Sequence, residues 1–235
     1  MKDVKIAILI PCTWEYMFKA HVQSLLALIF DFIKRNPDVS MKIFWGNKMP
    51  ISANRNLTVR GVLKDKSEHW THLLFLDGDN TFPLRMIDRL VDLCQHRDIA
   101  TGVYFKKGFP HEAVAMVRKI TDDLPWDGRT YHPVVVERKR PVIGNVHAMG
   151  MGCTMIRRHV FEKLPHPWFY YEYSTGDGEN TVSEDMPFFR AVTDAGFTTC
   201  VDTHIVCGHL KTEAVGITHH EIGCELRQEK SKAGK

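Results

Sequence analysis

His72-Leu73-Leu74-Phe75-Leu76-Asp77-Gly78-Asp79-Asn80 is the stretch on which the reading of this chain turns. A short apolar run stops abruptly in a cluster of turn-forming residues, which reads as a strand, 72–76, ending in a polar loop. Upstream, Val4–Ile10 is a β-branched apolar run halted by Pro11, the pattern of a buried strand. From Tyr16 to Ile33 the residues Phe18, Val22, Leu25, Leu26, Ile29 and Ile33 recur at helical spacing. Met41–Trp45 predicts a second strand and Ala53–Leu63 a second helix. Downstream, Pro83 opens a helix with the stripe Met86, Ile87, Leu90, Val91 and Cys94, and Ile99–Phe105 predicts a fourth strand. Strands alternating with helices predict an α/β fold with a mostly parallel central sheet flanked by helices. Such sheets bind ligands at the carboxyl ends of their strands, where Asp77 and Asp79 fall.

The second half is less regular. Ala113–Val117 and Val134–Arg138 are expected as strands of a meander, and Val142–Met149 leads through Gly150-Met151-Gly152 into a strand at 153–156. A short helix at 158–164, an aromatic loop at 165–182, a helix at 184–195 and strands at 198–201 and 205–207 complete the pattern. The polar stretch after His209 has no assigned place.

Composition narrows the classes. The chain has 235 residues, 44% of them hydrophobic and 25% charged, with a net charge of +3 from 31 basic and 28 acidic side chains. These proportions suit a globular chain with a substantial core and exclude a disordered or collagen-like one. The charge is too small to argue for nucleic acid, although 227–235 is mildly basic. The apolar stretch Ala20–Phe30, set between Lys19 and Asp31, is far short of the ~20 residues that cross a bilayer. No secretory signal pattern opens the sequence. The six cysteines form no C-x-x-C, so reduced thiols in a cytosolic setting are expected.

Three constellations offer chemistry. Asp77-Gly78-Asp79 puts two carboxylates at a strand end, where they can converge on a hard divalent cation or simply form a turn. Ser183-Glu184-Asp185 precedes Met186-Pro187; its carboxylates either cap the helix or project from its mouth as a general base. Thr181 to Glu184 also matches a capping box, but that start would bury Pro187 deep in the helix. The third is the strand end 201–209, where an imidazole could ligate a metal. His204, His209, His219 and His220 fit no structural zinc spacing. Neither a P-loop nor a G-x-G-x-x-G follows the first strand. The run Trp168-Phe169-Tyr170-Tyr171, beside Glu172 and Asp177, suits either a core or a stacking surface for a sugar or base.

In this order these segments resemble a GT-A-fold glycosyltransferase, family-2-like, and among these the compact enzymes encoded by bacteriophages. The resemblance rests on Ile8-Leu9-Ile10-Pro11-Cys12-Thr13, Ile51-Ser52-Ala53-Asn54-Arg55-Asn56, Leu73 to Asp79 and Thr101-Gly102-Val103-Tyr104-Phe105. It continues through Gly150 to Arg158, Ser183-Glu184-Asp185 and Asp202 to His209. It implies one domain over 1–235, with a nucleotide-sugar half at 1–105, an acceptor half at 106–210 and a tail at 211–235. It further implies a donor site of Pro11, Thr13, Arg55, Asp77 and Gly78, and a Mn²⁺ or Mg²⁺ ion on Asp77, Asp79 and His209. Asp185 would be the general base of an inverting transfer, with Glu184 beside it, and Gly150, Gly152 and Trp168 would face the acceptor. The donor implied is a nucleotide-sugar, a UDP-sugar first; the acceptor could be a glycan, a protein or a modified DNA base. The setting implied is cytoplasmic, the host cytoplasm for a phage enzyme. Two rivals stay open: a non-catalytic sugar-nucleotide or glycan-binding protein, and a nucleotidyltransferase. The second is disfavoured because Pro11-Cys12-Thr13-Trp14-Glu15 stands where its glycine-rich loop belongs. Lys106–Val142 matches no motif of the family.

Overall fold

The computed structural model describes residues 3–13, 16–120, 129–137, 139–173 and 181–212. In chain order its elements are β1 (Lys5–Ile10), α1 (Lys19–Arg35), β2 (Ser40–Trp45), α2 (Ile51–Lys64), β3 (His72–Leu76), β4 (Asn80–Thr81), α3 (Met86–Cys94) and β5 (Ile99–Val103). There follow β6 (Ala115–Ile120), β7 (Arg129–Pro133), β8 (Val142–Gly144), β9 (Ala148–Met149), β10 (Cys153–Arg157) and α4 (Arg158–Lys163). Last come β11 (Glu172–Tyr173), β12 (Thr181–Val182), α5 (Asp185–Asp194), β13 (Thr199–Val206) and β14 (Gly208–His209).

Seven strands form the central sheet in the order β2-β1-β3-β10-β5-β13-β8. β1 is parallel to both β2 and β3, and β13 is parallel to β5. β10 lies antiparallel between β3 and β5, and β8 is antiparallel on β13. Five strands therefore share one direction, as the α/β reading expects. Period-2 alternation divides the core between the two faces of this sheet. On one face Ile6, Ile8 and Ile10 pack with Leu25, Leu28 and Phe32 of α1 and with Leu90 of α3; on the other Ala7 and Leu9 pack with Val59 and Val62 of α2.

Several expectations shift by a few residues, each for a visible reason. α1 starts at Lys19 because Phe18 is extended at its N-cap. The face it buries is His21, Leu25, Leu28 and Phe32, while Val22, Leu26, Phe30 and Ile33 are exposed. α1 is apolar on both sides, so spacing alone cannot choose between them. The expected strand at 134–138 lies instead at Arg129–Pro133, antiparallel to β6; Arg138 is outside the described residues. β7 is an edge strand of its three-stranded sheet, where a terminal proline is tolerated. The two short strands expected near the end are one strand, β13, whose register slips between Asp202 and Val206. Gly102 permits that slip: a Cβ there would stand 2.5 Å from Ile205 Cγ2 and 2.9 Å from the Ile205 carbonyl oxygen. Beyond the slip the chain reaches the polar loop after β3, where β14 pairs with β4.

Candidate active site

A cleft of about 920 Å³ opens at the carboxyl ends of β1 and β3, lined by Pro11, Cys12, Thr13, Arg55, Asp77, Gly78 and Asp79. Tyr16, Met17, Phe18 and Ile51 give it an apolar side, and Lys48, Lys107, Lys211 and Thr212 complete it. Every donor-site residue expected from sequence lines this one cleft.

Three adjacent residues of α2 organise it. Asn54, fully buried, donates from Nδ2 to the carbonyls of Cys12 (3.2 Å) and Asn47 (2.7 Å), tying together the loops that follow β1 and β2. Gly46 makes room for it, since a Cβ there would lie 1.7 Å from Asn54 Oδ1. Asn56 accepts from the backbone N–H groups of Trp168 (3.0 Å) and Phe169 (3.2 Å) and donates to the Phe169 carbonyl (2.6 Å). Between them Arg55 is held by two carboxylates. Its Nη2 reaches Asp77 Oδ1 and Oδ2 at 3.1 and 3.2 Å, and its Nη1 donates to Glu184. Burial opposes the guanidinium charge, but Asp77 and Glu184 outweigh it and leave the arginine more firmly protonated than usual. Glu184 is also buried; that burial pushes its carboxyl up against the pull of Arg55. Arg55 thus fixes Asp77, and Glu184 is spent on Arg55.

The loop 77–80 is a turn closed by the Asn80 N–H donating to the Asp77 carbonyl (3.1 Å). The Asp77 N–H donates to the Gly152 carbonyl (3.2 Å), and the Leu210 N–H to the Asp79 carbonyl (2.7 Å). His21 contacts the Asn80 carbonyl through Nδ1 at 2.8 Å from the buried face of α1, and Asn80 Nδ2 donates to the Gly208 carbonyl (3.2 Å). Those contacts and the β4–β14 pairing bring His209, far away in sequence, to Asp79: His209 Nε2 lies 3.5 Å from Asp79 Oδ2. Lys107 Nζ approaches the same oxygen at 2.6 Å. Burial works against the Asp79 charge, yet His209 and Lys107 hold its carboxyl down to about 2. Burial likewise works against the His209 charge, yet Asp79 and the Phe105 carbonyl raise its pKa.

The donor set can be tested against a divalent cation. His209 Nδ1 faces the Phe105 carbonyl at 2.8 Å, an acceptor, so Nδ1 carries the proton and a neutral ring turns its Nε2 lone pair toward Asp79. A lone pair facing a carboxylate is repelled by it, and a cation between them, either a proton or a metal, relieves that repulsion. Two protein ligands with further positions open to phosphate and water suit Mg²⁺ or Mn²⁺. Asp77 is turned to Arg55, and among the described residues no group of three or more His, Cys, Asp or Glu side chains converges as a metal cage. The pair Asp79 and His209 fits the ion; Asp77 stands beside it.

The remaining expected residues fall elsewhere. Asp185 opens α5, half-buried, with Ser183 Oγ donating to its Oδ1. The capping box of Thr181 and Glu184 does not form: Thr181 belongs to β12, and Pro187 sits in the first turn of α5. Gly150 and Gly152 are buried behind Tyr104, where a Cβ would come within 1.8 Å and 3.1 Å of its ring and hydroxyl atoms. Trp168 is buried against Phe161 and donates from Nε1 to the Leu164 carbonyl (3.0 Å), so it does not line the cleft. His219, His220 and Asp177 lie outside the described residues, as do Trp14 and Glu15. Sequence reasoning quoted Asn54 and Asn56 in a motif without giving them a role, and passed over His21 and Lys107. Two asparagines inside a helix, where they are poor formers, were a readable sign of a special role for the two; Lys107 and His21 carried no local signal.

No protein-family model matches the chain, and no curated protein does. Among solved structures it is similar to A197 from STIV, at 18% identity over 89% of this chain and 87% of that one, with a TM-score of 0.54. It is also similar to GalNAc-T7 solved with UDP, GalNAc and Mn²⁺, at 12% identity and a TM-score of 0.51. That likeness covers 88% of this chain but only 44% of GalNAc-T7. At these identities the likeness is one of fold, and the fold is GT-A-like. No helix among the described residues is long and apolar enough to cross a membrane.

Proposed function

We propose that the chain is a metal-dependent glycosyltransferase, family-2-like and cytoplasmic, that moves a sugar from a nucleotide diphosphate sugar to an acceptor hydroxyl with inversion. The carrying observation is the cleft in which Asp79, with His209 beside it, and Lys48, Lys107 and Lys211 meet an apolar wall at the carboxyl edge of a GT-A-like sheet. Pro11, Thr13 and the side chains of Met17, Phe18 and Ile51 suit a base and ribose; the lysines suit a diphosphate. UDP and Mn²⁺, bound by the neighbour GalNAc-T7, are the first ligands to try. Asp79 and His209 would hold the divalent ion, with Asp77 reaching it through water or the ribose. When bound, the ion supplies Lewis-acid neutralisation of the departing diphosphate.

The chain's own groups would do the rest. Asp185 would accept the acceptor hydroxyl proton as the oxygen bonds to the sugar carbon and the bond to the diphosphate breaks. Ser183 occupies its Oδ1, leaving Oδ2 for that proton. Glu184 serves through Arg55, by fixing Asp77. Residues 1–105 would carry most of the donor, with Lys107, His209 and Lys211 reaching it from beyond them, and 106–210 the acceptor, with Gly150, Gly152 and Trp168 shaping the acceptor side from behind.

The test combines nucleotide binding with turnover. A melting-temperature panel of UDP, GDP, CMP and dTDP with Mn²⁺, Mg²⁺ or EDTA should give a rise that needs both one nucleotide and the metal. At ~100 times its dissociation constant such a ligand stabilises by about 2.7 kcal/mol, or roughly 5–10 °C at this size. Asp79→Ala should lose that rise. Asp185→Ala should keep it while sugar transfer falls by about 10²–10⁴. Full transfer by Asp185→Ala would remove it as the base. Nucleotide and metal binding with no turnover on any acceptor would leave a sugar-nucleotide-binding protein instead.

A further inference from the structure

One oxygen of the site has three claimants. Asp79 Oδ2 accepts from Lys107 Nζ at 2.6 Å, lies 3.5 Å from His209 Nε2, and belongs to the carboxylate that fits a divalent cation. Lys107 lies on the segment after β5, held by the Lys106 N–H donating to the Glu112 carbonyl (2.9 Å) and by the bridge between Phe105 and Ala113. Its backbone is thereby placed at the cleft rim, and its side chain, 37% exposed, lines the cleft itself. A lysine ammonium is a compact charge on a flexible stem, with no fixed fork to hold it to one carboxylate, so it can exchange partners within reach.

We infer that Lys107 is the exchanging counter-ion of this site: with no ligand its ammonium neutralises Asp79, and a divalent cation must displace it, freeing it to bind the diphosphate. This rests on the reading of the cleft as a nucleotide diphosphate site. Three physical consequences follow. The two cations compete for one carboxylate, so Lys107 weakens metal binding to the nucleotide-free protein. Displacement costs little, because the ion pair is partly exposed and exposed pairs are weak. Once displaced, the ammonium stands beside the oxygens of a bound diphosphate, where a charge-assisted hydrogen bond is stronger than the surface pair it left. Metal and nucleotide binding would then be coupled through one side chain, each favoured when the other is present.

The test measures two affinities of opposite expected sign. Mn²⁺ binding without nucleotide is followed by the electron paramagnetic resonance signal of the free ion at low ionic strength. UDP binding is followed by calorimetry at saturating Mn²⁺. Lys107→Met should bind Mn²⁺ about fivefold more tightly than the unaltered chain. The same variant should bind UDP about tenfold more weakly. Lys106→Met removes the same charge from the neighbouring residue, which pairs with Glu112 and does not touch Asp79, and should change neither constant. Mn²⁺ binding that is unchanged or weakened in Lys107→Met overturns the inference, as do equal effects from Lys106→Met or UDP affinity untouched in Lys107→Met. Opposite shifts in the two constants, with no sugar transferred to any acceptor, would uphold the counter-ion and strike only the transferase reading.

Discussion

Replacing Arg55 by methionine, which keeps the apolar stem and removes the guanidinium, tests the arrangement on which the cleft rests. Arg55 and Glu184 side chains are only 5% and 8% exposed, and Asp77 22%. Without the arginine, Glu184 is left as a buried carboxylate with no cation, and the Asp77 carboxylate faces it. Stripping one partner from a buried pair costs about 3–5 kcal/mol, whereas exposed pairs cost under about 1 kcal/mol. At about 2–4 °C per kcal/mol for a chain of this length, the melting temperature should fall by roughly 6–20 °C.

The same variant carries a pH signature. Burial already raises the Glu184 carboxyl, and losing Arg55 removes the main opposing influence. A carboxyl whose pKa is higher folded than unfolded contributes stability at low pH that is lost as pH rises through the folded value. The deficit of Arg55→Met should therefore be smallest near about pH 5 and grow toward about pH 8. Adding Glu184→Gln removes the stranded charge, so the double variant should be more stable than the sum of the single losses by about 2 kcal/mol or more. Urea unfolding at the two pH values reads both effects. Additive losses, or a deficit independent of pH, would refute the claim that Glu184 is held for the sake of Arg55.

Two further outcomes follow from the structure. His72, at the start of β3 and so at the end of that strand away from the cleft, is lowered to about 4 by burial and by the nearby charges of Arg157 and His159. It binds its proton more weakly folded than unfolded, so the stability it contributes is complete above about pH 6.5 and declines as pH falls toward 4; His72→Gln should flatten unfolding curves across that window. Gly150→Ala would place a Cβ 1.8 Å from Tyr104 Oη and 2.7 Å from Val114 Cγ1, so it should destabilise by about 1–3 kcal/mol. Tyr104→Phe in the same chain should recover part of that loss in thermal melts, since it removes the nearest atom, and no recovery would show that the backbone rather than the tyrosine is displaced.

The sheet was legible because its strands are short apolar runs cut off by proline, glycine or aspartate: β1 stops at Pro11 and β3 at Asp77, each within a residue of its expected end. The family resemblance, not local chemistry, grouped Pro11, Thr13, Arg55 and Asp77, and all four line the one cleft at the strand ends where a parallel sheet presents ligands. What escaped was whatever depended on tertiary pairing. The slip in β13 leaves no periodic trace; the meeting of His209 with Asp79 to which it leads was implied by the family resemblance and not by any spacing. α1 offers two apolar stripes, and only the sheet beneath it chooses the one that carries His21 to the Asn80 carbonyl. Glu184 and Asp185 are equivalent as letters. The fold separates them by one residue's rotation about the helix mouth, burying one against Arg55 and leaving the other half-buried with one oxygen not taken by Ser183. Neighbouring carboxylates thus acquire different surroundings from the fold alone, and on the proposed reading Asp185→Ala should fail in transfer and Glu184→Gln in stability.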